Sequence, residues 1–104
     1  MSLYAFSTQE KLGDIERRIE LERRGPIRDP RQLDILKSIA ADLRARLDRQ
    51  PTVALTDLTQ RVLRVLRSRT SVGYDKHALH ELGQGVAVHW ATIKQALELF
   101  GEQV

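Results

Sequence analysis

Apolar residues recur along this chain at three- and four-residue intervals, the spacing that places them on one side of a helix. Leu12, Ile15 and Ile19 form a first, narrow stripe. Ser7-Thr8-Gln9-Glu10 reads as a capping box ahead of it, so a helix is expected from about Thr8 to Arg24, ended by Gly25-Pro26. Asp14 with Arg18 and Glu20 with Arg24 stand four apart on its wet side.

Asp29-Pro30 opens a second helix, with Asp29 as N-cap, Pro30 at the first helical position and Gln32 three residues after the cap. Leu33, Leu36, Ile39, Ala40, Leu43 and Leu47 line one face to about Gln50, and Ile35 falls off that stripe. The short connection between the two helices predicts an antiparallel hairpin. With so thin a stripe on its first member, the hairpin cannot offset its ordering entropy alone. It must pack on the second half of the chain or on another copy, and the heptad-like spacing predicts a homodimer.

After a connection at Pro51 to Leu55, Thr56 can cap a third helix from about Asp57 to Arg69, with Leu58, Val62, Val65 and Leu66 on one face. Ser71-Val72-Gly73-Tyr74 reads as a turn and Asp75 as the N-cap of a short helix carrying Ala78, Leu79 and Leu82, which Gly83 and Gly85 loosen or end. A last helix is expected from Val88 or His89 to Phe100. The predicted fold is therefore all-α: an N-terminal antiparallel helical hairpin over 1–50, serving dimerisation or packing, followed by a tri-helical unit over 51–104.

The stretch from Leu79 to Phe100, supported by the helix from Asp57, resembles the helix-turn-helix of bacterial and phage DNA-binding proteins. Leu82 and Val86 would pack across a corner at Ala87 and Val88 onto Ile93, Ala96, Leu97 and Phe100. The resemblance implies that the last helix enters the major groove of double-stranded DNA with His89, Trp90, Ala91, Lys94 and Gln95 outward. Gln95 would pair with adenine, Lys94 with guanine or phosphate, and His89 or Trp90 with the backbone or a thymine methyl.

Charge adds a second pattern. Of 17 Lys/Arg and 14 Asp/Glu, residues 1–50 hold eleven and nine, and residues 51–104 hold six and five. From Ser71 onward only Lys76 and Lys94 oppose Asp75, Glu81, Glu98 and Glu102, so the helix-turn-helix-like segment is acidic. Phosphate contacts would then fall to Arg61, Arg64, Arg67 and Arg69, spaced along the third helix, and to Arg17, Arg18, Arg23, Arg24, Arg28 and Arg31 around the first hairpin.

Other chemistry is sparse. There is no cysteine, nucleophile elbow, phosphate-binding glycine loop or paired-carboxylate signature, so neither an enzyme nor a cofactor is expected. His77 and His80, with Asp75 and Glu81 close by, do not converge as a metal site when Glu81 points away from their face. No run reaches the roughly 18 apolar residues of a membrane helix, and no signal-peptide pattern opens the chain, so a cytoplasmic protein is expected. The leading expectation is a small dimeric DNA-binding protein, a transcriptional regulator. The alternative is a helical protein-interaction module, an adaptor or phage-type inhibitor, binding through an apolar face, the arginine-rich tip, or Trp90 as anchor.

Overall fold

The computed structural model describes residues 3–26, 29–49, 53–90 and 94–101. It is an all-α bundle of α1 (Leu3–Arg24), α2 (Pro30–Leu47), α3 (Val53–Arg67) and α4 (Lys76–His89), closed by a single turn α5 (Lys94–Ala96) that widens into a π turn over Leu97–Gly101. Arg28, the helix end at Gln50, the connection at Pro51, and Ala91, Thr92 and Ile93 lie outside the described residues. No helix among those described is long and apolar enough to cross a membrane.

α1 and α2 form the expected antiparallel hairpin, joined by Arg44 in the last turn of α2, whose Nη2 meets Glu16 Oε1 at 2.5 Å. α3 then lies across the hairpin and touches both of its helices, and α4 runs back along α3. The stripe Leu12, Ile15 and Ile19 is thereby covered within one chain, at 0%, 0% and 5% exposure. Of the two coverings expected for this stripe, the second half of the chain supplies one. Ile35, expected off the stripe, is buried as well, because α2 is contacted from two sides and must bury a broader face.

Two helix starts and one helix end differ from expectation. α1 begins at Leu3, so Ser7 lies exposed inside a helix and caps nothing. α3 begins at Val53, so Thr56 is not its cap; its hydroxyl lies 2.8 Å from that of buried Thr8. Both threonines sit where α1 meets α3, and one hydroxyl donates to the other across that contact. The third difference is α4. It passes through Gly83 and Gly85 and through the expected corner at Ala87, ending only at His89.

Helix packing explains Gly85. A Cβ there would lie 2.6 Å from Arg61 Cδ and 3.2 Å from Leu58 Cδ2, so the missing side chain lets α4 approach α3. The remaining boundaries follow local rules. Asp29 accepts from the amides of Arg31 and Gln32 at 3.0 and 3.3 Å, Asp75 accepts from that of Ala78 at 2.9 Å, and Gly73 takes a φ of +121° in the turn between α3 and α4.

Two alanine substitutions should separate helix propensity from packing. Gly13, whose added Cβ would meet only Arg17 Nη1 at 3.5 Å, should gain stability on replacement by Ala, by up to about 1 kcal/mol. Gly85→Ala should instead lose about 1 kcal/mol, because displacement of Arg61 outweighs the propensity gain. Urea denaturation of both variants checks the pair, and stabilisation by Gly85→Ala would refute the close-approach account.

Candidate functional site

Arg61, Arg64 and Arg67 occupy the strip of α3 left between its buried faces, Arg69 follows two residues after the helix ends, and each turns toward an acceptor. Arg61 bonds Asp57 at 3.0 Å and reaches across Gly85 to the Glu81 carbonyl at 2.6 Å. Arg64 meets the Glu81 carboxylate at 2.7 Å, and Arg67 lies 3.8 Å from Asp14 of α1. Arg69 pairs with Glu22 at 3.2 Å and lies over the Tyr74 ring, 5.6 Å from its centre. The expected row of cations is therefore a row of links between α3 and its neighbours.

Histidines join this seam. His77 Nε2 lies 3.0 Å from Glu81 Oε1, so Glu81 shares the His77 face, as a four-residue helical spacing allows, and does not point away from it. The hydrogen bond from Arg64 holds the Glu81 carboxyl below its usual range. That contribution to stability is present above the ordinary glutamate range and is lost as pH falls through the lowered value. Among the described residues, no group of three or more His, Asp or Glu is arranged to hold a metal ion.

The candidate reading residues separate. His89, placed at the start of the last helix by the sequence, is instead the last residue of α4, with Nε2 3.1 Å from Asp57 Oδ2. Trp90 was expected outward and is 4% exposed, capping α4 with its amide on the Val86 carbonyl. Arg46 of α2 covers the indole at 4.6 Å, a cation–π contact that closes the aromatic residue from solvent. The physical reason is area: in a chain with five aromatic residues, a large ring beside α2 stabilises more by burial than by exposure. Lys94 and Gln95 are exposed, while Ala96 and Phe100 behind them are buried.

A groove of about 300 Å³ opens at the other end of the bundle, where the α1–α2 hairpin turn meets the α3–α4 turn. Glu22, Asp29, Gln32, Arg69, Tyr74 and Lys76 supply its polar wall, and Leu33, Val72 and Leu79 its apolar part. Tyr74 donates its phenolic hydrogen to Glu22, which also receives Arg69, so one carboxylate ties α1 to the distant turn. Burial first, and that hydrogen bond second, push the Tyr74 phenol well above its ordinary value.

Asp29 is engaged by α2 amides and Glu22 by Tyr74 and Arg69. Lys76 has no polar partner among the described residues, nor does the side chain of Arg31, two residues after Asp29. The sequence singled out the arginines of this tip, but not Glu22, Tyr74 or Lys76. Glu22 and Tyr74 meet across 52 positions, and no local pattern signals such a contact. No protein-family model, curated protein or solved structure matches the chain.

The Tyr74 link has a pH signature. A tyrosine in the unfolded chain ionises near pH ~10, whereas the folded phenol resists ionisation. Its contribution is therefore complete below that pH and lost as pH rises toward the folded value. Thermal melts of the wild type should show a stability drop beginning above pH ~10. Tyr74→Phe should reduce that drop while lowering stability at neutral pH by about 1 kcal/mol, and an unchanged alkaline profile would refute the assignment.

Proposed function

We propose that this chain is a small helical protein-interaction module that meets its partner at the arginine-rich end, where the hairpin turn and the α3–α4 turn enclose the groove. One observation carries this reading: the cations of α3 are engaged within the bundle, whereas at the tip every described acid is engaged and two cations, Lys76 and Arg31, have no partner among the described residues. The described residues of 20–32 and 69–76 include five Arg/Lys and four Asp/Glu. Glu20 is paired with Arg23 and Arg24, Glu22 with Arg69, and Asp29 and Asp75 cap helices. A partner approaching here meets Lys76, Arg31 and the outer edges of Arg23 and Arg24.

Trp90 is not the anchor in this reading, since Arg46 and the core already enclose it. The exposed side chain best placed to be covered by a partner is Val72, which is 75% exposed and lines the groove. A photoreactive residue placed at Val72 should give discrete protein adducts in cells, and one placed at Gln95 should give none. Absence of adducts from position 72 would remove the reading.

DNA binding is the second reading, favoured by the exposure of Lys94 and Gln95 on α5. Arg64 and Arg67 add to it, because side chains 62% and 61% exposed hold ion pairs that a phosphate can replace at small cost. Random-sequence duplex titrated at several salt concentrations separates the two. The interaction module should bind weakly and without sequence preference. A steep salt slope together with a preference lost in the double variant Lys94→Ala, Gln95→Ala would establish the DNA reading instead.

A further inference from the structure

We infer that the groove at the arginine-rich end receives an acidic segment of a partner protein, with an apolar side chain seated against Leu33 and Leu79 and a carboxylate on Lys76. This rests on the interaction-module reading and deepens it by naming what the groove takes.

Shape gives the first part of the argument. A volume of about 300 Å³ is at the small end of ligand sites and suits one or two side chains of a chain segment. Its apolar part is built from Leu33 at the first turn of α2 and Leu79 at the first turn of α4, 4% and 7% exposed, with Val72 exposed at the rim. Both leucines sit just inside capped helix starts, so their backbone is held by Asp29 and Asp75. The opposite wall is held by the Glu22, Arg69 and Tyr74 contacts, which join α1 to the turn. A site braced on three helices loses little entropy on binding.

Charge gives the second part. Glu22 and Asp29 already accept hydrogen bonds, and Arg69 is committed to Glu22 and to the carbonyls of Thr70 and Pro26 at 2.9 and 3.4 Å. Lys76 is the lining cation with no partner among the described residues. It stands at the first position of α4, where its ammonium opposes the positive end of the helix dipole. A carboxylate brought to Lys76 would relieve that opposition. A phosphodiester strand fits less well, because its closely spaced charges would run past the carboxylates of Glu22 and Asp29, and it has no apolar group for the Leu33–Leu79 floor. A peptide can space its acids so that one meets Lys76 and others meet the arginines outside.

The test uses the full chain, isotopically labelled, and a ten-residue peptide alternating leucine and glutamate, with its glutamine counterpart. The acidic peptide should shift amide resonances at Gln32, Leu33 and residues 72–79 and leave those of Lys94 and Gln95 in place. Lys76→Glu, whose new carboxylate suits a helix start and should leave the fold intact, should weaken binding roughly fivefold. The glutamine peptide should weaken it similarly. Shifts outside the groove, no shifts at millimolar peptide, undiminished binding by Lys76→Glu, or displacement of the peptide by random duplex would each overturn the inference. Discrete protein adducts from position 72 without acidic-peptide binding would overturn it while leaving the interaction reading in place; absence of both would remove both.

Discussion

Everything in this bundle depends on how completely α3 is enclosed. Leu55, Leu58, Thr59, Val62, Leu63, Val65 and Leu66 are all buried, which occupies most of the helix circumference, since α1 and α2 cover one side and α4 another. Only a strip remains for polar groups, and it is filled by Asp57, Gln60, Arg61, Arg64 and Arg67. Long side chains leaving a strip that narrow pass over the neighbouring helices, where Glu81 and Asp14 stand. The same enclosure explains why the polar residues on the inner side are threonines. Thr8 and Thr56 meet each other, and Thr59 returns its hydroxyl to the Leu55 carbonyl at 2.6 Å.

Legibility followed range. Asp29-Pro30, Asp75 and the turn glycine Gly73 were readable because capping and positive φ are settled within four or five residues. Ser7 and Thr56 satisfy the same local pattern and are not caps, because each is preceded by residues that can extend the helix. Gly83 and Gly85 looked like a break for a related reason. Low helix propensity costs about 1 kcal/mol per glycine, and a helix packed tightly on a neighbour exceeds that through burial. Nothing near Gly85 in sequence announces Arg61 and Leu58 as the atoms its absent side chain makes room for.

The candidate site was legible in composition and illegible in pairing. Spacing puts Arg61, Arg64 and Arg67 on one side of a helix, yet the carboxylates that meet them come from positions 4, 17 and 53 residues away. Trp90 shows the same limit for apolar groups. Its place beside the expected reading helix suggested an outward ring, while its actual surroundings are set by α2, whose Arg46 lies over it. A residue at a helix end is free to turn either way, and the choice is made by whichever surface can cover it.

The electrostatics of the tip follow from these structural commitments. Helix starts need acceptors, and Asp29 and Asp75 supply them; a long-range tie needs a buried-side carboxylate, and Glu22, 17% exposed, supplies it. These three acids are therefore part of the fold before they can face a partner. Arg31 and Lys76 carry no corresponding structural task, since neither side chain has a partner among the described residues. A chain with a net charge of only +3 can in this way present one end that is more basic in effect than its composition indicates. What reaches a partner is the charge left after the helices have been capped and tied, and at this end that remainder is Lys76, in the wall of the groove, with Arg31.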